Sequence, residues 1–134
     1  MRNGRPVIAK LTEKMLSKSD FVMVSSAARN KPGINSELCK PSRFVPMPSI
    51  AYRLAKVAAG DGVCGISLCP VSAHDIVAGH ALLRGAGGVL VNECGEPVTY
   101  ATDTSMQTVA RRCFGGSFAV CQALAVREWE RVFS

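Results

Sequence analysis

The sequence predicts an α/β fold in three layers, a mixed sheet flanked by helices, and three observations carry that expectation. Phe21-Val22-Met23-Val24 and Val89-Leu90-Val91 are short uninterrupted apolar runs rich in β-formers, the pattern of strands buried on both faces. Helix-periodic segments opened by serine and closed by glycine lie between such runs, at 49–60 and 72–88. A turn at Gly95-Glu96-Pro97 folds the chain back on itself, and that hairpin makes the sheet mixed. With 134 residues, one core is expected, burying about 65–70% of the unfolded chain's surface.

Taken in order, residues 1–8 read as the end of a hairpin and Leu11 to Ser17 as a short helix or turn. The strand at 21–24 follows. Ala28 to Gly33, with Asn30 and Pro32-Gly33, reads as a loop, and Ser36 to Cys39 as one helical turn stopped by Pro41. Phe44 to Met47 is extended, because residues preceding proline are pushed out of the α region. Ser49 caps a helix over Ile50–Ala59 whose Ile50, Leu54 and Val57 share a face; Gly60 ends it. A turn at Asp61-Gly62 leads to a strand from Val63 to Leu68. The next helix runs from about His74 to Ala86 and carries a broad apolar face of Ile76, Val77, Ala81, Leu82 and Leu83. Strands are then expected at 88–93 and 97–100, a mobile polar stretch at 101–106, and an edge strand at Arg111–Cys113. Ser117 caps a last helix through Val120, Leu124 and Trp129 to Phe133. The glycines at 85–88 and 115–116 lack the order of a dinucleotide-binding loop and read as turns.

Composition narrows the function classes. Apolar residues make up 48% of the chain, which excludes disorder, yet the apolar runs fall well short of the roughly 18 residues a membrane span requires. Lys10, Glu13 and Lys14 interrupt any signal-peptide core, so a cytoplasmic location is the default. Six cysteines, at 39, 64, 69, 94, 113 and 121, contain no Cys-x-x-Cys and read as buried free thiols. The net charge of +6 raises nucleic-acid binding as an option. The basic residues are scattered and no aromatic platform accompanies them, so neither nucleic acid nor membrane is an expected partner. A solvated basic surface, or attraction towards anionic phosphates, accounts for the charge.

The most informative residue is Asp75. Ser72-x-x-Asp75 reads as a capping box, which fixes a carboxylate at a helix start. Around it stand His74-Asp75-Ile76-Val77-Ala78-Gly79 and Arg84-Gly85-Ala86-Gly87-Gly88. This stretch resembles the inositol monophosphatase superfamily, the magnesium-dependent, lithium-sensitive phosphatases, whose C-terminal half carries Trp-Asp-x-Ala-(Ala/Gly)-Gly and a helix ending in Ala-Gly-Gly. Asn3-Gly4-Arg5-Pro6-Val7 is similar to that family's Asn-Gly-x-Pro-Ile hairpin. Phe21 to Ser26 is similar to its central strand, and Pro48-Ser49-Ile50-Ala51 to its Gly-Ser-x-Ala substrate loop. His74 departs from the family's usual Trp, Pro48 from its Gly and Gly85 from a common Glu.

The resemblance implies the C-terminal domain of the inositol monophosphatase and fructose-bisphosphatase fold. Residues 1–19 would be a remnant hairpin and connector from an N-terminal half, and 20–134 the C-terminal α/β domain. It implies Asp75 as a ligand of Mg²⁺, and Ser49 and His74 as substrate contacts. The parent chemistry is hydrolysis of a small phosphomonoester, in which divalent ions activate water and stabilise the leaving alkoxide. The family's metal-binding Glu and Asp-Pro-x-Asp-Gly-Thr motif occur nowhere in the sequence. The chain alone is therefore expected to hold Mg²⁺ weakly or not at all and to be inactive without the N-terminal half. Asp61, Glu93, Glu96 and Asp103 are further carboxylates with plainer turn or surface roles. The partners expected are a missing N-terminal half or a second copy of the chain. The competing class is a non-catalytic binding or interaction module derived from the same fold. Each candidate also has an ordinary structural role: Asp75 and Ser49 as helix caps, His74 as a helix-start residue, and His80 as a core or interface histidine.

Overall fold

A computed structural model describes residue 11 and residues 14–100 and 108–133; the hairpin expected at 1–8 and the stretch expected to be mobile at 101–106 lie outside them. Seven strands and four α-helices are found among the described residues: β1 (Phe21–Val24), α1 (Pro32–Cys39), β2 (Arg43–Pro46), α2 (Ile50–Ala58), β3 (Cys64–Ser67), β4 (Val71–Ser72), α3 (Ala73–Gly85), β5 (Val89–Asn92), β6 (Thr108–Ala110), β7 (Cys113–Gly116) and α4 (Phe118–Ala125). Five strands form one sheet in the order β2-β1-β3-β7-β5. β1 runs parallel to β2 and β3, whereas β7 is antiparallel to both β3 and β5. The sheet is mixed, as expected, but β7 rather than a hairpin at residue 95 makes it so.

Strand alternation builds the three layers. On one face Val22, Val24, Cys64, Ile66, Val91 and Phe114 pack with α1 and α4. On the other, Met23, Leu90 and Cys113 pack with Leu54 and Val57 of α2 and Ile76 and Leu83 of α3. A period of two along a strand sends successive side chains to opposite faces, and both faces here find helices to cover them. Gly65 and Gly115 are cross-strand partners on the α2 side. A Cβ on Gly115 would stand 2.5 Å from Leu54 Cδ2, and one on Gly65 would stand 3.3 Å from the Arg53 backbone, so the glycines let α2 lie close on the sheet.

Several elements differ from the expected ones for identifiable reasons. The loop expected at 28–33 is a 3-10 turn, Ser26–Asn30, followed by α1, which starts at Pro32 because proline suits the first helical position. The edge strand expected at Arg111–Cys113 is β7, which lies inside the sheet and includes Gly115-Gly116, read above as a turn. No strand forms at 97–100. Pro97 has no N–H to give, and the pairing stops at the Val91–Pro97 bridge and a bond from Val98 N to Leu90 O. β6 was not anticipated; it pairs with the two-residue β4.

The last helix ends at Ala125, before a separate 3-10 turn, Trp129–Phe133. The chain bends there because Trp129 is fully buried and its Nε1 donates to Leu124 O at 2.7 Å. Ser117 precedes α4 as expected, but its hydroxyl donates to Lys14 O at 2.6 Å instead of capping the helix. Along α3 the apolar face is split: Ile76 and Leu83 are buried, whereas Val77, Ala81 and Leu82 face outward. Of the six thiols, four are buried and Cys69 and Cys94 are exposed.

Candidate functional site

Parallel strands β1, β2 and β3 end together, and the chain leaves that edge into the segments that carry the candidate residues. α2 starts three residues beyond β2, at Ser49, and α3 starts beyond β3 and β4, at Ser72. The two helices pack on each other where Gly79 meets Leu54; a Cβ on Gly79 would stand 2.8 Å from Leu54 Cβ. The fold thus sends two helix N-termini to the carboxyl edge of the parallel strands, where α/β sheets collect their ligands.

Asp75 stands at the third position of α3 in the capping box the sequence predicts. Its Oδ2 accepts from Ser72 N at 2.9 Å and from Ser72 Oγ at 3.0 Å. These bonds, first the backbone and then the hydroxyl, hold the exposed carboxyl below its usual range, and the neighbouring His74 adds to the effect. Asp75 is a fixed, ionised, accessible carboxylate. His74 beside it is exposed, with no hydrogen bond among the described residues. Ser49 is the N-cap of α2, its Oγ accepting from Tyr52 N at 3.4 Å, and its φ of 65° is a conformation that non-glycine residues rarely adopt. Backbone strain of this kind concentrates at binding sites. Pro48 before it fits an extended approach to the turn.

Two of the other carboxylates have structural partners. Asp61 pairs with Lys56 at 3.1 Å, and Glu93 accepts from the Arg111 and Arg112 amides at 3.1 and 3.5 Å. Asp103 lies outside the described residues. His80 is buried, and its Nδ1 is 2.5 Å from Tyr100 Oη. Burial pushes the Cys39 and Cys113 thiols up to about 12, which removes them as nucleophiles at neutral pH.

Sequence reasoning passed over Arg53. It is 93% buried by its 7% exposure, and its guanidinium lines a cavity with Ser25 and Ser67 at the ends of β1 and β3. The signal was present: position 53 falls three residues after Ile50 on the same face as Leu54 and Val57, so an apolar helix face carries a cation.

Magnesium takes six oxygens, commonly one or two carboxylates with waters and a phosphate. Among the described residues no three His, Cys, Asp or Glu side chains come together, and Asp75 is a single carboxylate. The described residues therefore do not fit a resident Mg²⁺ by themselves.

No match is found among protein-family models or among curated proteins. Solved structures do match. An inositol monophosphatase from Anabaena (Nostoc) is similar at 24% identity and a TM-score of 0.62, over 99% of this chain and 50% of that one. The inositol monophosphate-bound SaIMPase-II is similar at 18% identity and a TM-score of 0.68, over 98% and 49%. An IMPase from Thermotoga maritima is similar at 17% identity and a TM-score of 0.67, over 92% and 44%. The chain has the fold of about half of an inositol monophosphatase, and it spans about half the length of the structures it matches.

Proposed function

We propose that this chain is the C-terminal α/β half of an inositol-monophosphatase-like, magnesium-dependent phosphomonoesterase, and that it is inactive without an N-terminal half. The observation that supports the reading is Asp75: an ionised carboxylate, held by Ser72 at a helix start, at the carboxyl edge of this fold. Its role would be one metal ligand, pre-oriented so that binding costs little reorganisation. Ser49 and His74 would contact the substrate, Ser49 from a helix N-terminus whose free N–H groups suit an anionic or polyhydroxyl ligand. The metal's remaining carboxylates would come from the half that the resemblance places before the Asn3-Gly4 hairpin.

The test is an assay of the chain alone, and of the chain mixed with an N-terminal half bearing the Asp-Pro-x-Asp-Gly-Thr motif. p-Nitrophenyl phosphate and inositol phosphate serve as substrates, with millimolar Mg²⁺. The chain alone should give background only; the mixture should turn over, and Asp75→Asn should abolish that turnover. Turnover by the chain alone that disappears in Asp75→Asn would overturn the half-site reading.

A further inference from the structure

At the carboxyl ends of β1 and β3 a cavity of about 170 Å³ opens beside Arg53. Its polar lining is Arg53, Ser25, Ser67 and Asn35; most of the rest is apolar, including Val24, Ile66, Leu68 and Phe133. Arg53 is the unusual member. Its Nη1 donates to Ile66 O, and its Nε is buried with no partner. No carboxylate pairs with it among the described residues: burial works against its charge, and the only opposing influences come from the Cys113 and Cys69 thiols. A buried arginine is ordinarily paired, because an uncompensated buried cation is costly, and arginine does not escape by losing its proton.

The hydroxyl beside it is available. Ser25 Oγ accepts from Ala27 N at 3.3 Å, which leaves its own proton free to donate, whereas the Ser67 hydroxyl is spent on Cys69 O at 3.0 Å. One cation and one free hydroxyl against an apolar wall define a site for a single negative group on an apolar body. A cavity of roughly 150 Å³ accommodates benzene, so the space suits a body of about that size. Inorganic phosphate would set charged oxygens against Val24, Ile66 and Leu68 and fits the wall poorly.

We propose that this pocket binds a small monocarboxylate, its carboxylate on Arg53 and Ser25 and its apolar part against Val24, Ile66 and Leu68. The proposal uses neither Asp75 nor a metal, so it stands or falls separately from the phosphatase reading.

Thermal unfolding and calorimetric titration of the chain in metal-free buffer with EDTA provide the test, using benzoate, benzyl alcohol and inorganic phosphate as probes. Benzoate should bind saturably and raise the unfolding temperature, since a ligand held only by the folded state stabilises it. Benzyl alcohol, close in size but uncharged, should bind at least tenfold more weakly, and phosphate should not compete. Arg53→Met should lose benzoate binding while folding, because an apolar side chain of similar volume in place of an unpaired buried charge is tolerated. Ala27→Phe, at the exposed rim of the pocket, should lose it with Arg53 intact, which covers the case of an unstable Arg53 variant. No saturable benzoate binding by the unaltered chain, undiminished binding by Arg53→Met, or preference for phosphate would each overturn the proposal.

Discussion

Asp75 and Ser72 share two hydrogen bonds that stabilise both the start of α3 and the ionised carboxylate. Because the folded pKa lies below the unfolded value of about 3.9, the contribution is fully present above that pH and is lost as pH falls through the folded value. Ser72→Ala should cost about 1 kcal/mol in urea unfolding and return the Asp75 titration, followed by NMR, towards the ordinary carboxylate range. His80 works in the same direction through a different cause. Burial, and then the nearby Arg84, hold its pKa below the ordinary value of about 6.5, and the neutral ring shares a hydrogen bond with the Tyr100 hydroxyl. As pH drops below about 6.5 the unfolded chain takes up a proton that the folded chain refuses, so stability should fall until the folded pKa is passed. His80→Phe should flatten that part of the profile in urea midpoints measured between pH 7 and about pH 5.

β7 is the element on which the architecture turns, because it sits between β3 and β5 and joins the parallel and antiparallel parts of the sheet. Gly116 at its end has no room for a side chain: a Cβ would stand 2.1 Å from Val63 O and 2.9 Å from Cys64 Cα, both backbone atoms that cannot swing away. Gly116→Ala should therefore cost about 3 kcal/mol or more, read from the shift in the urea midpoint. That constraint explains why β7 was hard to read. Cys113-Phe114-Gly115-Gly116 carries only one β-former, and its glycines signal a turn locally although tertiary packing demands them in a strand. By contrast β1, α2 and α3 were legible because apolar runs, a serine cap and a terminal glycine agree with one another. At the end of α3 the agreement is complete: Gly88 N donates to Leu83 O at 2.7 Å and Gly87 N to Arg84 O at 3.1 Å, a Schellman closure with Gly87 at φ 83°. Asp75 and Ser49 were legible for the same reason, each being a cap that local sequence specifies. Arg53 was legible only as a cation on an apolar helix face; the cavity beside it is assembled from residues at 24–28, 35, 66–69 and 132–133, and no local pattern announces a space enclosed by segments so far apart in sequence.

At the scale of the molecule, the outward side of α2 and α3 is apolar where a soluble surface is usually charged. Val77 and Leu82 are each 53% exposed and Tyr52 is 49% exposed. A groove lined by Ala55, Ala58, Ala59, Ala81, Leu82, Gly85 and Ala86 runs between the helices. Small residues flanked by a projecting leucine allow another helix to approach closely, and contiguous apolar surface of this kind commonly marks an interaction site. The fold covers about half of the inositol monophosphatases it matches; on the function proposed above, the groove would receive the other half, with self-association expected in its place. The chain should associate at tens of micromolar by light scattering, roughly the range in which such surfaces meet. A complementary N-terminal half should raise its unfolding temperature, since a partner that binds only the folded state adds to stability. Leu82→Glu should weaken both effects with little change in the urea midpoint of the dilute chain, because the side chain it replaces is exposed and absent from the core. A compact monomer at those concentrations that binds no apolar dye and gains nothing from the N-terminal half would refute the association. It would leave the competing reading, an autonomous binding module on this fold, as the better account of the molecule.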